Sequence, residues 1–195
     1  ARAAYTLLSA SVPPEKIVFI GASAGAHLVL MLLLSLKESD AAQPALCIAL
    51  CPWVDVGLRG DSMTSNDHFD LVQGWMALKF GQWLDPDETY GREALSPISH
   101  DFSGLAPIYL QAGGREIFRD PATDFARQQA AKGANVMLDI WDDMPHDFQA
   151  YDSLFASSTQ ALKRIRNAAR GHMTLSEALP PLTGVTRLTN GAFRS

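Results

Sequence analysis

Apolar and polar positions along this chain switch repeatedly between a two-residue and a 3.6-residue period, with Gly, Pro and Asp marking the switches. Ala1 to Ala10 has the spacing of the end of an amphipathic helix, and Pro13-Pro14 makes a turn. Lys16 to Ile20 is a short apolar, partly β-branched strand that runs into Gly21-Ala22-Ser23-Ala24-Gly25. A helical pattern follows from Ala26 to about Leu36. Further strands are predicted at Ala45 to Cys51, Pro107 to Ala112 and Asn135 to Trp141, with helices at Pro121 to Lys132 and Gln149 to Ala169. Strands alternating with helices predict an α/β domain with a mostly parallel sheet covered by helices on both faces. Four strands are visible and the first abuts the glycine-rich turn, so the sheet is expected to lack its N-terminal strands.

Two stretches break the alternation. Between Val56 and His100 polar turn residues (Gly60-Asp61-Ser62, Ser65-Asn66-Asp67) precede an aromatic helical piece, Gln73 to Leu84. This region, about 56–100, is expected to be an insertion over the carboxyl edge of the sheet, with a long surface connection as the alternative. Trp75, Met76, Phe80 and Trp83 either wall a substrate pocket or pack on a core; the spacing fits both, and core packing is the commoner outcome. Residues 171–195 show no sustained period, and Gly171-His172-Met173 reads as a cloning junction. The catalytic domain is therefore expected at 1–170, followed by a vector-derived or disordered tail.

Composition narrows the partners. Of 195 residues, 16 are Lys or Arg and 21 Asp or Glu, so a formal charge of −5 gives no reason to expect nucleic acid or an anionic membrane surface. The longest apolar stretch, Leu28 to Leu34, is far short of the ~20 residues of a membrane span. Cys47 and Cys51 lie four apart on one predicted strand, which at roughly 3.3 Å per residue separates their Cα atoms by about 13 Å, beyond the ~7 Å reach of a disulfide. Buried free thiols suit a reducing, cytoplasmic location.

Gly21-Ala22-Ser23-Ala24-Gly25 fits G-x-S-x-G between a strand and a helix, a sharp turn that exposes a serine nucleophile. Close packing of strand and helix is expected to exclude side chains at both glycines. The new helix aims its N-terminal N–H groups at the serine, with the Ala24 N–H as first oxyanion donor. A serine nucleophile needs a base and an orienting acid. Of five histidines, His146 follows the last predicted strand and sits late enough for the order Ser, acid, His. The acid belongs after the strand at 107–112, where Glu116 and Asp120 are candidates. Glu116 is nearer the strand end; Asp120 precedes Pro121 and fits an N-cap, and stands as the alternative acid.

These residues resemble the hormone-sensitive-lipase-like bacterial carboxylesterases of the α/β-hydrolases. Gly21 to Leu28 resembles that family's nucleophile elbow, and Cys51-Pro52-Trp53-Val54-Asp55 its S-P-W-x-D segment with Cys for Ser. Leu95-Ser96-Pro97-Ile98 is similar to its S-P block, Glu116-Ile117-Phe118-Arg119-Asp120 to D-P-L-x-D, and Met144-Pro145-His146-Asp147-Phe148 to M-P-H-G-F. The resemblance implies hydrolysis of short- to medium-chain esters through an acyl-enzyme, with no cofactor and no metal. Asp61-Ser62-Met63 and Ser65-Asn66-Asp67 are also similar to lactone hydrolases of that branch, which keeps lactones open. The family's H-G-G-G oxyanion loop has no counterpart in the 22 residues before Ser23, and Gly113-Gly114 is wrongly placed to replace it. The expected partners are a small-molecule ester and either a homodimer mate or a companion N-terminal segment. The remaining alternatives are an incomplete hydrolase-like domain that only binds, and an amidase using the same three residues.

Overall fold

A computed structural model describes residues 1–152 and 154–170 with their side chains, and the backbone of 185–188. In chain order the elements are α1 (Arg2–Ser9), β1 (Val18–Ala22), α2 (Ala24–Glu38), β2 (Leu46–Leu50), α3 (Ser62–Ser65), α4 (Gly74–Leu84), α5 (Gly91–Leu95), β3 (Ile108–Gly113), α6 (Arg119–Ala131), β4 (Val136–Trp141), α7 (Ala156–Arg170) and β5 (Val185–Leu188). The strands form one sheet in the order β1-β2-β3-β4-β5. The first four run parallel, with Gly21 opposite Ala49, Ile48 opposite Tyr109 and Leu110 opposite Leu138.

Alternation along the strands decides which face each helix covers. Phe19, Cys47, Ala49, Ile108, Leu110, Val136 and Leu138 point to one side, where they pack with Tyr5 of α1, Leu30, Leu33 and Leu36 of α2, and Phe125, Ala126 and Ala130 of α6. Leu46, Ile48, Leu50, Tyr109 and Met137 point to the other, against Ile165 and Ala168 of α7. Successive parallel strands joined by right-handed crossovers place α2 and α6 on the same face, and only α7, after the last parallel strand, crosses to the opposite one. β1 is an outer strand of the described sheet, with Ile20 51% exposed on its uncovered side.

Three sequence expectations change. The helix predicted over Gln149 to Ala169 is two elements: a 3-10 turn at Phe148–Tyr151, then α7. Ser158 Oγ donates to the Phe148 carbonyl and Thr159 Oγ1 to the Asp152 carbonyl, so hydroxyls that compete with helical bonding fold the chain back at this point. In the stretch 171–195, where the sequence shows no period, β5 pairs antiparallel with β4, Val136 opposite Leu188; residues 171–184 and 189–195 lie outside the described residues. The aromatic helix α4 buries Gly74 and Ala77, whereas Trp75 and Trp83 are 61% and 65% exposed and Phe80 is exposed too. Among the described residues no helix is long and apolar enough to cross a membrane.

Candidate active site

The carboxyl ends of β1, β3 and β4 bring together the loops on which the candidate residues sit. Ser23 stands between β1 and α2 at φ 53° and ψ −118°, a conformation rare for a side-chain-bearing residue. Its N–H is held by the Leu50 carbonyl at 2.9 Å and its carbonyl accepts the His27 N–H, so β2 and α2 together fix the strained turn. Ala24 opens α2, where helix geometry leaves the first-turn N–H groups without partners inside the helix. Gly21 is required by space: a Cβ there would lie 2.2 Å from the Gly25 carbonyl oxygen. A Cβ on Gly25, in contrast, would meet no atom within 4 Å, so crowding accounts for the first glycine of the motif and not the second.

Glu116 and His146 meet across two loops. His146 Nδ1 is 3.8 Å from Glu116 Oε2, which also accepts the Gly113 N–H at 3.1 Å. Both side chains are buried, and the Phe118 ring packs edge-on against the imidazole. Burial raises the Glu116 pKa above its ordinary value, with His146 opposing the rise. For His146, burial works to lower the pKa, but the nearby carboxylate of Glu116, then those of Asp147 and Asp70, outweigh it and leave the group raised. The imidazole is thus a base stabilised as a cation once it accepts a proton, which is what a proton shuttle between a hydroxyl and a leaving group needs. On its other side, Nε2 lies 3.6 Å from Asp147 Oδ2. Asp147 adopts the left-handed conformation (φ 52°) at the position where the resembled segment carries glycine. Ser23 Oγ makes no hydrogen bond among the described residues.

Asp120 does not cap its own helix, α6. Its helix starts earlier, with Phe118 at the N-cap, and Pro121 falls in the third helical position. Asp120 instead forms a reciprocal pair with Ser62, 58 residues away: Oδ2 accepts the Ser62 N–H at 2.8 Å and the Asp120 N–H donates to Ser62 Oγ at 3.0 Å. Burial raises its pKa, but Arg119 and Ser62 more than offset that, so it stays a carboxylate tying α3 to the acid loop. Gly113 and Gly114, wrongly placed for an oxyanion loop, let two loops touch: Cβ atoms there would lie 2.2 Å from the Met144 and Asp142 carbonyl oxygens.

Cys51, read from sequence only as a buried free thiol, stands beside the pair. Its Sγ accepts the Asp147 N–H at 3.3 Å and donates to Gln149 Oε1 at 3.6 Å. Cys51, Glu116 and His146 offer metal-ligand atoms within 4.8 Å of one another. Burial above all, with the Glu116 charge adding, pushes the thiol well above its usual pKa, so the sulfur serves here as a neutral hydrogen-bonding group. Of the other histidines, His27 bonds the Leu95 carbonyl and packs on Trp53, and His100 bonds the Ala94 carbonyl.

A family model described as alpha/beta hydrolase fold matches residues 1–150. The chain belongs to the α/β-hydrolase family. Within it the resemblance is to the hormone-sensitive-lipase-like branch. A crystal structure of an esterase from the bacterial hormone-sensitive lipase family superposes with a TM-score of 0.82 at 31% identity, over 87% of this chain and 58% of that one. A hormone-sensitive lipase from a metagenome library gives 0.82 at 28% identity, over 88% and 60%. Among curated proteins, an esterase of Acinetobacter venetianus is 30% identical over 165 residues, 84% of this chain and 54% of its own. An acetyl-hydrolase of Streptomyces hygroscopicus is 29% identical, over 83% and 54%. This α/β-hydrolase chain therefore spans somewhat over half the length of the relatives it matches.

Proposed function

We propose that the chain carries the catalytic residues of a serine carboxylesterase acting on short- to medium-chain carboxylic esters. The observation that carries this reading is the strained Ser23 elbow at the start of α2, on the same sheet edge as the buried Glu116–His146 pair. Ser23 Oγ attacks the ester carbonyl while His146 takes its proton, and the Ala24 N–H stabilises the oxyanion. His146 returns the proton to the departing alkoxide, and water then releases the acid by the same steps in reverse. Glu116 fixes the tautomer of His146 and stabilises its charged form. The names esterase and acetyl-hydrolase among the relatives support ester bonds as the target. Trp75, Phe80 and Trp83, exposed on α4, are the apolar side chains we assign to the acyl or alcohol pocket.

The test is labelling with a fluorophosphonate, followed by denatured intact mass and peptide mapping. A single adduct on the peptide containing Ser23, absent in Ser23→Ala and in His146→Ala, is the expected result. A folded chain that takes no adduct overturns the proposal and favours a domain that binds without turning over.

A further inference from the structure

The Glu116–His146 pair is not held together by its own hydrogen bond. At 3.8 Å the contact exceeds hydrogen-bonding distance, and Glu116 Oε1 and His146 Nδ1 are both buried without a hydrogen-bond partner. The spacing of the two groups is therefore set by the backbones of their loops. Two backbone bonds join those loops near the sheet, Gly114 N–H to the Trp141 carbonyl and Arg115 N–H to the Met144 carbonyl. At the surface an exposed Arg115–Asp143 ion pair also joins them, and next to the functional side chains the Asp70 carboxylate does so. Asp70 Oδ2 accepts the Ile117 N–H at 2.7 Å, and Asp70 Oδ1 accepts the His146 N–H at 2.8 Å and the Leu71 N–H at 2.8 Å.

Among the described residues, the other hydrogen bonds from the insertion to these two loops go to the acid side. Ser62 Oγ donates to the Ile117 carbonyl, and Asn66 Nδ2 to the Glu116 carbonyl at 2.9 Å. Asp67, three residues from Asp70, turns inward and accepts the Gly74 N–H. Asp70 thus occupies a position no neighbour duplicates among the described residues: it lies 47 residues from Ile117 and 76 from His146, and reaches both.

We infer that Asp70 is a positioning residue for ester hydrolysis, its single carboxylate clamping the Glu116 loop to the His146 loop so that acid and base keep a working separation. The inference rests on the carboxylesterase reading above. The insertion is then a strut of the active site. The charge has a second effect. The imidazole faces Glu116 at Nδ1, Asp147 at Nε2, the Phe118 ring and the neutral Cys51 thiol, with Asp70 beneath its amide. Asp70 is one of three carboxylates that favour the protonated ring.

Asp70→Asn separates this role from general loosening, because an amide keeps the shape, loses the charge and offers one acceptor oxygen in place of two. The His146 imidazole is followed by NMR titration in the 195-residue chain, and ester turnover is measured alongside. The expected result is a His146 pKa lowered by roughly half a unit or more, the effect of removing one nearby, partly screened charge. With it comes a kcat about 10- to 100-fold lower at nearly unchanged KM, since misplacing a reacting group by about 1 Å costs that order. Asp67→Asn removes the same charge from the same insertion without touching either loop, and is expected to leave the titration where it was. An Asp70→Asn protein that is folded and titrates like the parent overturns the proposal. A parent chain without ester turnover overturns the carboxylesterase reading alone, because the titration still reports whether Asp70 governs the His146 environment.

Discussion

The two glycines of the nucleophile elbow make opposite predictions. A Cβ on Gly21 would sit 2.2 Å from the Gly25 carbonyl oxygen, 2.4 Å from its carbonyl carbon and 2.7 Å from the Ala26 nitrogen. All three are backbone atoms, so no side-chain rotation relieves the clash, and strand and helix must separate by roughly 1 Å to reach ordinary contact. Neither can retreat freely. Gly21 is paired with Ala49 in the sheet, and α2 is anchored by Leu30 and Leu33, both fully buried. Overpacking a core costs about 1–3 kcal/mol, and rigid backbone on both sides puts Gly21→Ala at the upper end. At ~2–4 °C per kcal/mol for a chain of this length, its melting temperature should fall by about 6–12 °C. Gly25→Ala meets nothing within 4 Å and replaces a glycine in the first turn of a helix, which gives a gain below ~1 kcal/mol and a melting temperature unchanged or slightly higher. Far-UV circular dichroism melts of both variants read the difference directly. If Gly25→Ala loses as much stability as Gly21→Ala, or if neither loses any, strand–helix approach is not what the first glycine serves.

Two further predictions separate charges with different tasks. Glu116→Gln should cut ester turnover by about 10²–10⁴ with little effect on KM, because the amide cannot hold the required imidazole tautomer, whereas Asp120→Asn should lower stability by ~1–2 kcal/mol through the Ser62 pair and leave turnover within a few-fold; the opposite pattern in kinetics and denaturant melts would exchange their roles. Asp55 is buried between Arg59, Arg92 and the Gly57 N–H, and although burial raises its pKa, these partners outweigh it and hold the group below its usual 3.8. A depressed folded pKa means stability that is present above about pH 4 and lost as pH falls through the folded value. Asp55→Asn should therefore be less stable than the parent by about 1–2 kcal/mol at pH 7, a figure discounted because both arginines are partly exposed, and the gap should shrink on acidification; a gap independent of pH would contradict the assignment.

What can be read from the chain and what cannot divide along physical lines. The sheet is legible because a parallel strand has a local signature: Leu46 to Leu50 and Ile108 to Gly113 are apolar runs buried on both faces and bounded by turn residues. The order of elements does the rest, since short right-handed crossovers leave few ways to arrange four parallel strands. The candidate residues are legible for two reasons: Ser23 by the strained elbow that G-x-S-x-G demands, and Glu116 and His146 by their order in the chain after the strands β3 and β4. The break before α7 is invisible because its cause lies in the Ser158 and Thr159 hydroxyls, whose partners Phe148 and Asp152 are fixed only once the chain has turned. Asp120 misleads for the same reason, its partner Ser62 being 58 residues away.

Asp70 marks the limit of such reading more sharply. An acceptor for two amide hydrogens from distant loops imposes no local periodicity, no backbone strain and no neighbour preference, so Asp70 looks like any acid in a polar turn. Its neighbours Asp61 and Asp67 have the same local appearance, yet Asp67 serves only the start of α4. Residues that react leave a trace in sequence because the chain must bend in a particular way to present them. Residues that clamp two loops together at a set distance leave none, because any fold that delivers a carboxylate to that point will do. The 3.8 Å gap between Glu116 and His146, bridged by no hydrogen bond of their own, is where that second kind of residue becomes necessary to the proposed chemistry.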